Sequence, residues 1–313
     1  MPRKKGRTVG RPTTTRVVLD VFTEQDIERW SARSEDGQQY SDRVYFDLER
    51  QRAEHHEELC NALRAADPIE VDLDSWARVT DYRWSLEPLS AAGSLRGIGG
   101  RFNIGQDLDR ARNQEFPALY IAKDVDTAFC EFFGGAPETP KGKLLLQEFA
   151  LRRKTSFTTF ALTGRVENVF DLRDAKGLRE FAQIVGGFRL SPDTIRFARK
   201  VSLRPRTLIR NARDLLTRVL AAPDSWRTEP QLFGIPSANQ ILGRFIRDAG
   251  YEGVLYPSQQ GGTLCLAVFP QNIRASSSRV EVVGAAPEGA RLLVLDKDSA
   301  NLDASVSSPV ACC

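Results

Sequence analysis

Four side chains between residues 82 and 131 have the chemistry to bind an anion and act on it: Arg83, Arg101, Tyr120 and Glu131. A guanidinium is a planar, permanently charged fork that suits phosphate oxygens. The glycines just before Arg101 let the backbone adopt positive φ and approach a ligand closely. Two such arginines predict a site for a diphosphate.

Four consecutive elements must position these side chains. The apolar run from residue 79 to Pro88 predicts a strand that carries Arg83. A glycine-rich loop then delivers Arg101 and Asn103, and a second apolar run at residues 117–122 carries Tyr120. Residues 124–133 follow with the pattern of a helix. The segment therefore reads as one short supersecondary unit.

The helix pattern also orients the carboxylate. Val125, Ala128, Phe129 and Phe132 repeat at i, i+3, i+4 and i+7 and form one apolar stripe. At 100° per residue, Glu131 lies about 110° from the middle of that stripe. We therefore expect it at the edge of the buried face, where a carboxylate can face a cleft.

The same blocks, in this order, resemble the pattern of the RES domain family. The blocks are Tyr82-Arg83, Gly99-Gly100-Arg101-Phe102-Asn103, Ala118-Leu119-Tyr120-Ile121-Ala122, Ala128 with Glu131, and Tyr256-Pro257-Ser258. Two departures from the family pattern concern the mouth of the pocket. Phe102 stands where the family usually has Trp, and the loop at residues 104–116 is longer and more charged than usual.

Members of this family resemble ADP-ribosyltransferases in fold, and the characterised ones are toxins that consume NAD, commonly paired with an Xre-type antitoxin. The resemblance implies that Arg83 and Arg101 hold the diphosphate of NAD, with Asn103 beside them in the binding site. It implies that Tyr120 faces the nicotinamide, that Glu131 serves the chemistry and that Ser258 lines the pocket.

The chemistry that this resemblance favours is cleavage of the bond between nicotinamide and ribose. Positively charged nicotinamide is a good leaving group, so one carboxylate that stabilises the oxocarbenium-like charge is enough, and no metal is required. The acceptor stays open between water, phosphate and a protein side chain, the last giving a protein ADP-ribosyltransferase. A third alternative is a nucleic-acid or partner-binding protein with a vestigial cleft.

Composition excludes several other classes. The chain has 313 residues, 41% hydrophobic and 27% charged, which is typical of a globular protein. No apolar run is long enough for a membrane span and no secretory signal is present, so we expect a cytoplasmic protein without membrane contact. Five cysteines without ligand spacing and two histidines favour neither a disulfide scaffold nor a metal site.

The predicted fold class is α+β, with an ADP-ribosyltransferase-like mixed β core, a helical N-terminal extension and a helical insertion. We expect a disordered basic arm at residues 1–20, the helical extension at 21–78, the catalytic domain at 79–275 and a largely disordered tail at 276–313. The insertion covers about residues 173–222. Within it, residues 189–218 carry a local charge of +7. This charge predicts a surface for nonspecific nucleic-acid contact, for an acidic protein partner or for the approach of an anionic cofactor, and the alternative is a solvated helical face.

Further elements are predicted from local patterns. A long amphipathic helix is expected at residues 41–66, and buried strands at 143–151 and 166–172. Ser237 and Gln240 have capping-box spacing before an apolar stripe that Gly250 ends. Strands at 252–256 and 263–269 then form a hairpin with Ser258 at its turn.

Overall fold

The computed structural model describes residues 24–108, 113–133, 156–173, 175–220, 225–260 and 262–300. The expected basic arm at residues 1–20 and the expected strand at residues 143–151 lie outside the described residues. So does the end of the tail, after residue 300.

One mixed sheet organises the fold, and its strands are β1 (Ile69–Asp72), β2 (Trp76–Asp81), β3 (Leu119–Ala122), β4 (Phe157–Asp171), β5 (Gly253–Pro257), β6 (Leu264–Val268), β7 (Arg279–Val283) and β8 (Val294–Leu295). The strand order is β2-β3-β6-β5-β4-β7-β8, and β1 pairs with β4. Since β2 also pairs with β4, the path from β2 to β4 closes on itself. Among the described strands only β4 and β5 pair in parallel.

The helices are α1 (Glu24–Glu54), α2 (His56–Arg64), α3 (Val125–Phe133), α4 (Arg179–Gly186), α5 (Pro192–Lys200), α6 (Ala212–Asp214), α7 (Ser225–Phe233), α8 (Ala238–Asp248) and α9 (Pro270–Ile273). A π-helical turn, Leu215–Leu220, continues α6. The molecule is therefore α+β, as expected. The helix expected at residues 41–66 is two helices, because His55 leaves the helical region at φ −106° and ψ 21°.

The alternation of side chains along the strands separates two cores. On β3, Leu119 and Ile121 pack with Trp76 into a core on one face of the sheet. Tyr120 and Ala122 point to the other face, which α2, α4 and α8 cover. Period-two alternation thus turns Tyr120 towards the helical layer.

The prediction of a strand from residue 79 to Pro88 is wrong after Asp81. β2 ends at Asp81, and Tyr82–Trp84 form a 3₁₀ turn in which the amide of Ser85 donates to the carbonyl of Tyr82. Tyr82 is 61% exposed. The three-residue step from Val79 to Tyr82 breaks the alternation that a strand needs, so these apolar residues do not share one face.

From residue 276 the sequence predicts a largely disordered tail with one short strand at residues 291–295. The structure agrees with that strand at Val294–Leu295 and adds a second strand, Arg279–Val283, where disorder was expected. β7 adds to β4 in antiparallel register, and β8 adds to β7. Val280 and Leu295 are fully buried in the core that contains Trp76. Alternating valines in this segment outweigh the Ser- and Ala-rich composition around them.

The predicted capping box of α8 and the predicted hairpin after it are both confirmed. Ser237 caps the helix and Gln240 completes the capping box. β5 and β6 then pair as an antiparallel hairpin, from Gly253 opposite Val268 to Pro257 opposite Leu264. Residues 176–200 are largely helical, and a stretch without helix or strand at residues 201–211 leads into α6.

Two helix-interior glycines are expected to respond to alanine with opposite signs. At Gly243 of α8 a Cβ would lie 2.2 Å from the carbonyl oxygen of Phe102, so Gly243→Ala should lower the free energy of unfolding by about 1–3 kcal/mol. At Gly37 of α1 the nearest atom, on Phe233, is 4.0 Å away. Gly37→Ala should therefore raise stability by about 0.5–1 kcal/mol. Urea denaturation of both variants checks this, and a loss of stability in both would contradict it.

Candidate active site

A cavity of ≈ 240 Å³ opens on the helical side of the sheet. Its lining comes from β2, β3, α3, α7, the β5–β6 hairpin and the glycine-rich loop, and includes Arg78, Gly100, Arg101, Tyr120, Glu131, Trp226, Arg227, Tyr256, Gln259 and Cys265. A neighbouring cavity of ≈ 440 Å³ shares Arg101, Tyr256 and Gln259 and adds Ser258. Arg101 thus stands between two lobes of one site.

Glu131 and Ser258 meet although 127 residues separate them in the chain. The Ser258 hydroxyl donates to Glu131 Oε1 over 2.6 Å, which fixes the orientation of the carboxylate. The same hydroxyl accepts from the amide of Gln260 at 3.2 Å. The structure therefore brings together the helix residue and the hairpin residue that the motifs singled out.

Arg101 places a buried guanidinium at the site, and not all of its hydrogen-bond donors are used. It is 8% exposed, its Nη2 donates to the carbonyl of Leu220, and its Nε has no hydrogen-bond partner among the described residues. The guanidinium carbon lies 5.2 Å from the ring centre of Phe102 and 5.1 Å from that of Tyr256. Burial lowers the pKa of Arg101, opposed by Tyr256 and Glu131. An anion would supply the hydrogen bonds that this guanidinium lacks.

Tyr120 and Asn103 hold the glycine-rich loop in place. The Tyr120 hydroxyl accepts from the amide of Phe102 and donates to Asn103 Oδ1, each at 2.9 Å. Asn103 is fully buried, and its amide nitrogen donates to the carbonyls of Ser94 and Phe116. The structure therefore brings Asn103 to the site as a support of the loop, whereas Tyr120 also lines the cavity.

Gln240 also supports this loop, whereas the sequence motifs indicated only its role in capping α8. Its Nε2 donates to the carbonyls of Ile98 at 2.8 Å, Gly100 at 3.1 Å and Asn103 at 3.1 Å. Its Oε1 accepts from the amide of Ser237 at 3.0 Å. The start of α8 and the shape of the loop thus depend on one side-chain amide.

The structure does not bring Arg83 to the cavity. Its side chain is 56% exposed and pairs with Asp81 at 2.7 Å, and it is not among the lining residues. Arg78, on β2, is also a lining residue and is 8% exposed, but its side chain shares the strand face of Trp76. Its Nη2 donates to the carbonyl of Ser90 at 2.9 Å, so its guanidinium points towards the core on the other side of the sheet.

Cys265 is a further lining residue that the motifs did not indicate. It is 2% exposed and lines the same cavity as Glu131. Burial, followed by the charge of Glu131, raises the pKa of this thiol above its ordinary value of 9.0, and Arg101 opposes part of the shift. Cys265 therefore stays protonated at neutral pH and is a poor nucleophile.

The raised pKa of Cys265 predicts a loss of stability in alkali. The unfolded thiol releases its proton near pH 9.0, whereas the folded thiol retains it, so the folded state binds more protons and stability falls as pH rises above that value. Urea denaturation between about pH 8 and pH 10 should show this fall, and Cys265→Ala should make it shallower. Equal slopes in the two proteins would contradict the assignment.

Two absences hold for the part of the chain that the structure describes. No group of three or more His, Cys, Asp or Glu residues there is arranged to hold a metal ion. No helix there has both the length and the apolar character that crossing a membrane requires.

Comparison with known proteins finds one family model that matches part of the chain and one similar structure. A family model described as the RES domain matches residues 179–290, which confirms the resemblance seen in the motifs. The match contains Ser258, while Arg101, Tyr120 and Glu131 precede it. The crystal structure of the M. tuberculosis MbcT-MbcA toxin-antitoxin complex is similar, with 20% identity over 68% of this chain and 81% of that chain. Its TM-score of 0.37 is too low to support an argument. No curated protein matches the chain.

Proposed function

With a RES domain match at residues 179–290 as the premise, we propose that this chain is a RES-type toxin that consumes NAD by cleaving the bond between nicotinamide and ribose. The observation that carries the proposal is the convergence of Arg101, Tyr120 and Glu131 on one cavity, with Ser258 bonded to Glu131. No histidine lines that cavity, so chemistry that needs an imidazole base is disfavoured.

Each side chain has a role in this reaction. Arg101 binds the diphosphate, because it lines the cavity, is nearly buried and has a donor nitrogen without a partner among the described residues. Glu131 stabilises the positive charge that develops on the ribose as nicotinamide departs. Ser258 keeps the carboxylate in one orientation, and Tyr120 holds the loop while presenting its ring to the cavity. The site supports hydrolysis or phosphorolysis of NAD.

The basic insertion gives limited support to the nucleic-acid alternative. Arg206 pairs with Glu229, and Arg189 and Arg210 donate to backbone carbonyls of residues 186–188. Arginines that hold the chain's own carbonyls are less available to phosphates. The RES resemblance instead implies a protein partner, and we propose an antitoxin, of Xre type, that blocks the cavity.

Incubation of the purified chain with NAD labelled in its adenylate half tests the proposal. Hydrolysis should release labelled ADP-ribose, and added phosphate should give its phosphorylated form if phosphate is the acceptor. Label on protein would instead identify an ADP-ribosyltransferase. Unchanged NAD together with salt-dependent DNA binding would overturn the proposal in favour of a nucleic-acid-binding protein.

A further inference from the structure

A second, separate cavity lies within the helical layer. It measures ≈ 350 Å³ and shares no lining residue with the two lobes of the candidate active site. Helices α1, α4 and α8 and the segment at residues 206–209 surround it. Its walls are mainly apolar and include Leu48, Phe181, Val185, Ile209 and Ile241. We call it the helical-layer cavity.

Arg52 supplies this cavity with a cation. The residue is 9% exposed and lines the cavity, and its Nε donates to Glu49 Oε2 at 2.7 Å. Its two terminal nitrogens make no hydrogen bond to any described residue, although the aromatic ring of Tyr45 lies 5.6 Å from the guanidinium carbon. Two donor groups of a nearly buried guanidinium are therefore available to a ligand.

The positive charge around Arg52 exceeds the negative charge of the neighbouring side chains. The other oxygen of Glu49 accepts from Arg244 at 2.8 Å, so one carboxylate serves two guanidinium groups. The remaining charged residues of the lining, Arg206 and Glu229, pair with each other. The cavity therefore carries one excess positive charge beside apolar walls, and a buried charge of this kind favours an anionic partner.

We propose that the helical-layer cavity binds a small amphipathic anion, a carboxylate with a medium-length apolar chain. The carboxylate accepts from the terminal nitrogens of Arg52, a geometry that a guanidinium fork matches with two parallel hydrogen bonds. The chain lies against Phe181, Val185 and Ile241. A volume of ≈ 350 Å³ is within the usual range for small-molecule sites.

Isothermal titration of the full chain with octanoate and with 1-octanol tests the proposal. The two probes share their apolar chain, and octanoate alone carries the charge. Octanoate should bind at least about tenfold more tightly, since hydrogen bonds between charged groups outweigh the neutral contact that octanol can make. Equal affinities, or no binding of either probe, would overturn the proposal.

Three variants locate the binding. Arg52→Lys keeps a charge near Glu49 but loses the fork, and should weaken octanoate binding at least about tenfold without changing that of octanol. Val185→Trp narrows the cavity and should weaken the binding of both probes, which tests the site independently of Arg52. Arg101→Gln should leave octanoate binding intact. Unchanged binding in a folded Val185→Trp, or lost binding in a folded Arg101→Gln, would overturn the assignment.

Discussion

Replacement of Glu131 by glutamine is expected to reduce NAD turnover by about 10²- to 10³-fold. The amide has nearly the same shape and retains an oxygen for the hydroxyl of Ser258, which donates to Glu131 Oε1 over 2.6 Å. It lacks the negative charge that would stabilise the developing oxocarbenium ion. The loss should therefore fall on kcat, measured as nicotinamide release at saturating NAD.

Asp126→Asn provides the matched control for this variant. Asp126 lies on the same helix, α3, and its side chain is exposed. The same chemical change there should leave turnover within about twofold, as expected of a surface substitution. Thermal unfolding followed by circular dichroism should be unchanged in both variants. Near-normal turnover by folded Glu131→Gln would rule out Glu131 as the group that stabilises the cation.

Arg101→Gln should lower kcat/KM for NAD by about tenfold or more, because a hydrogen bond to a charged group contributes about 1.5–3 kcal/mol. Arg101 lines the cavity and is 8% exposed. The loss should appear mainly as a higher KM, since Arg101 binds the diphosphate before and during the reaction. Initial rates across a range of NAD concentrations measure it.

Arg83→Gln separates the two candidate arginines. Arg83 pairs with Asp81 on the exposed 3₁₀ turn and does not line the cavity, so its kcat/KM should stay within about twofold of the parent value. A drop of about tenfold in kcat/KM for Arg83→Gln would show that the turn after β2 folds towards the ligand. Unfolding curves of both variants distinguish lost binding from lost structure.

The parts of the site that sequence could predict are those whose signal is local. The stripe on α3 placed Glu131 at the edge of a buried face, and the capping box placed the start of α8 at Ser237. Alternation on β3 turned Tyr120 towards the helical layer. Each depends on residues within one or two turns or on a single strand, where side-chain periodicity decides the outcome.

The parts that sequence reasoning missed depend on distant partners. β2 ends at Asp81 because its pairing with β4 ends at Phe157, and this boundary leaves Arg83 on an exposed turn outside the cavity. Val280 is buried because β4 offers an edge to β7. The alternating valines of β7 indicate a strand but do not identify its partner, and the surrounding Ser- and Ala-rich composition pointed to a disordered tail.

The side chain of Gln240 also constrains when the site can take shape during synthesis. Its donation to the carbonyl of Gly100 spans 140 residues, so a nascent chain that still lacks α8 cannot hold the glycine-rich loop in its final geometry. Closing a loop of this length also costs conformational entropy before the contact can form. The proposed reaction on NAD would therefore begin only after α8 has left the ribosome.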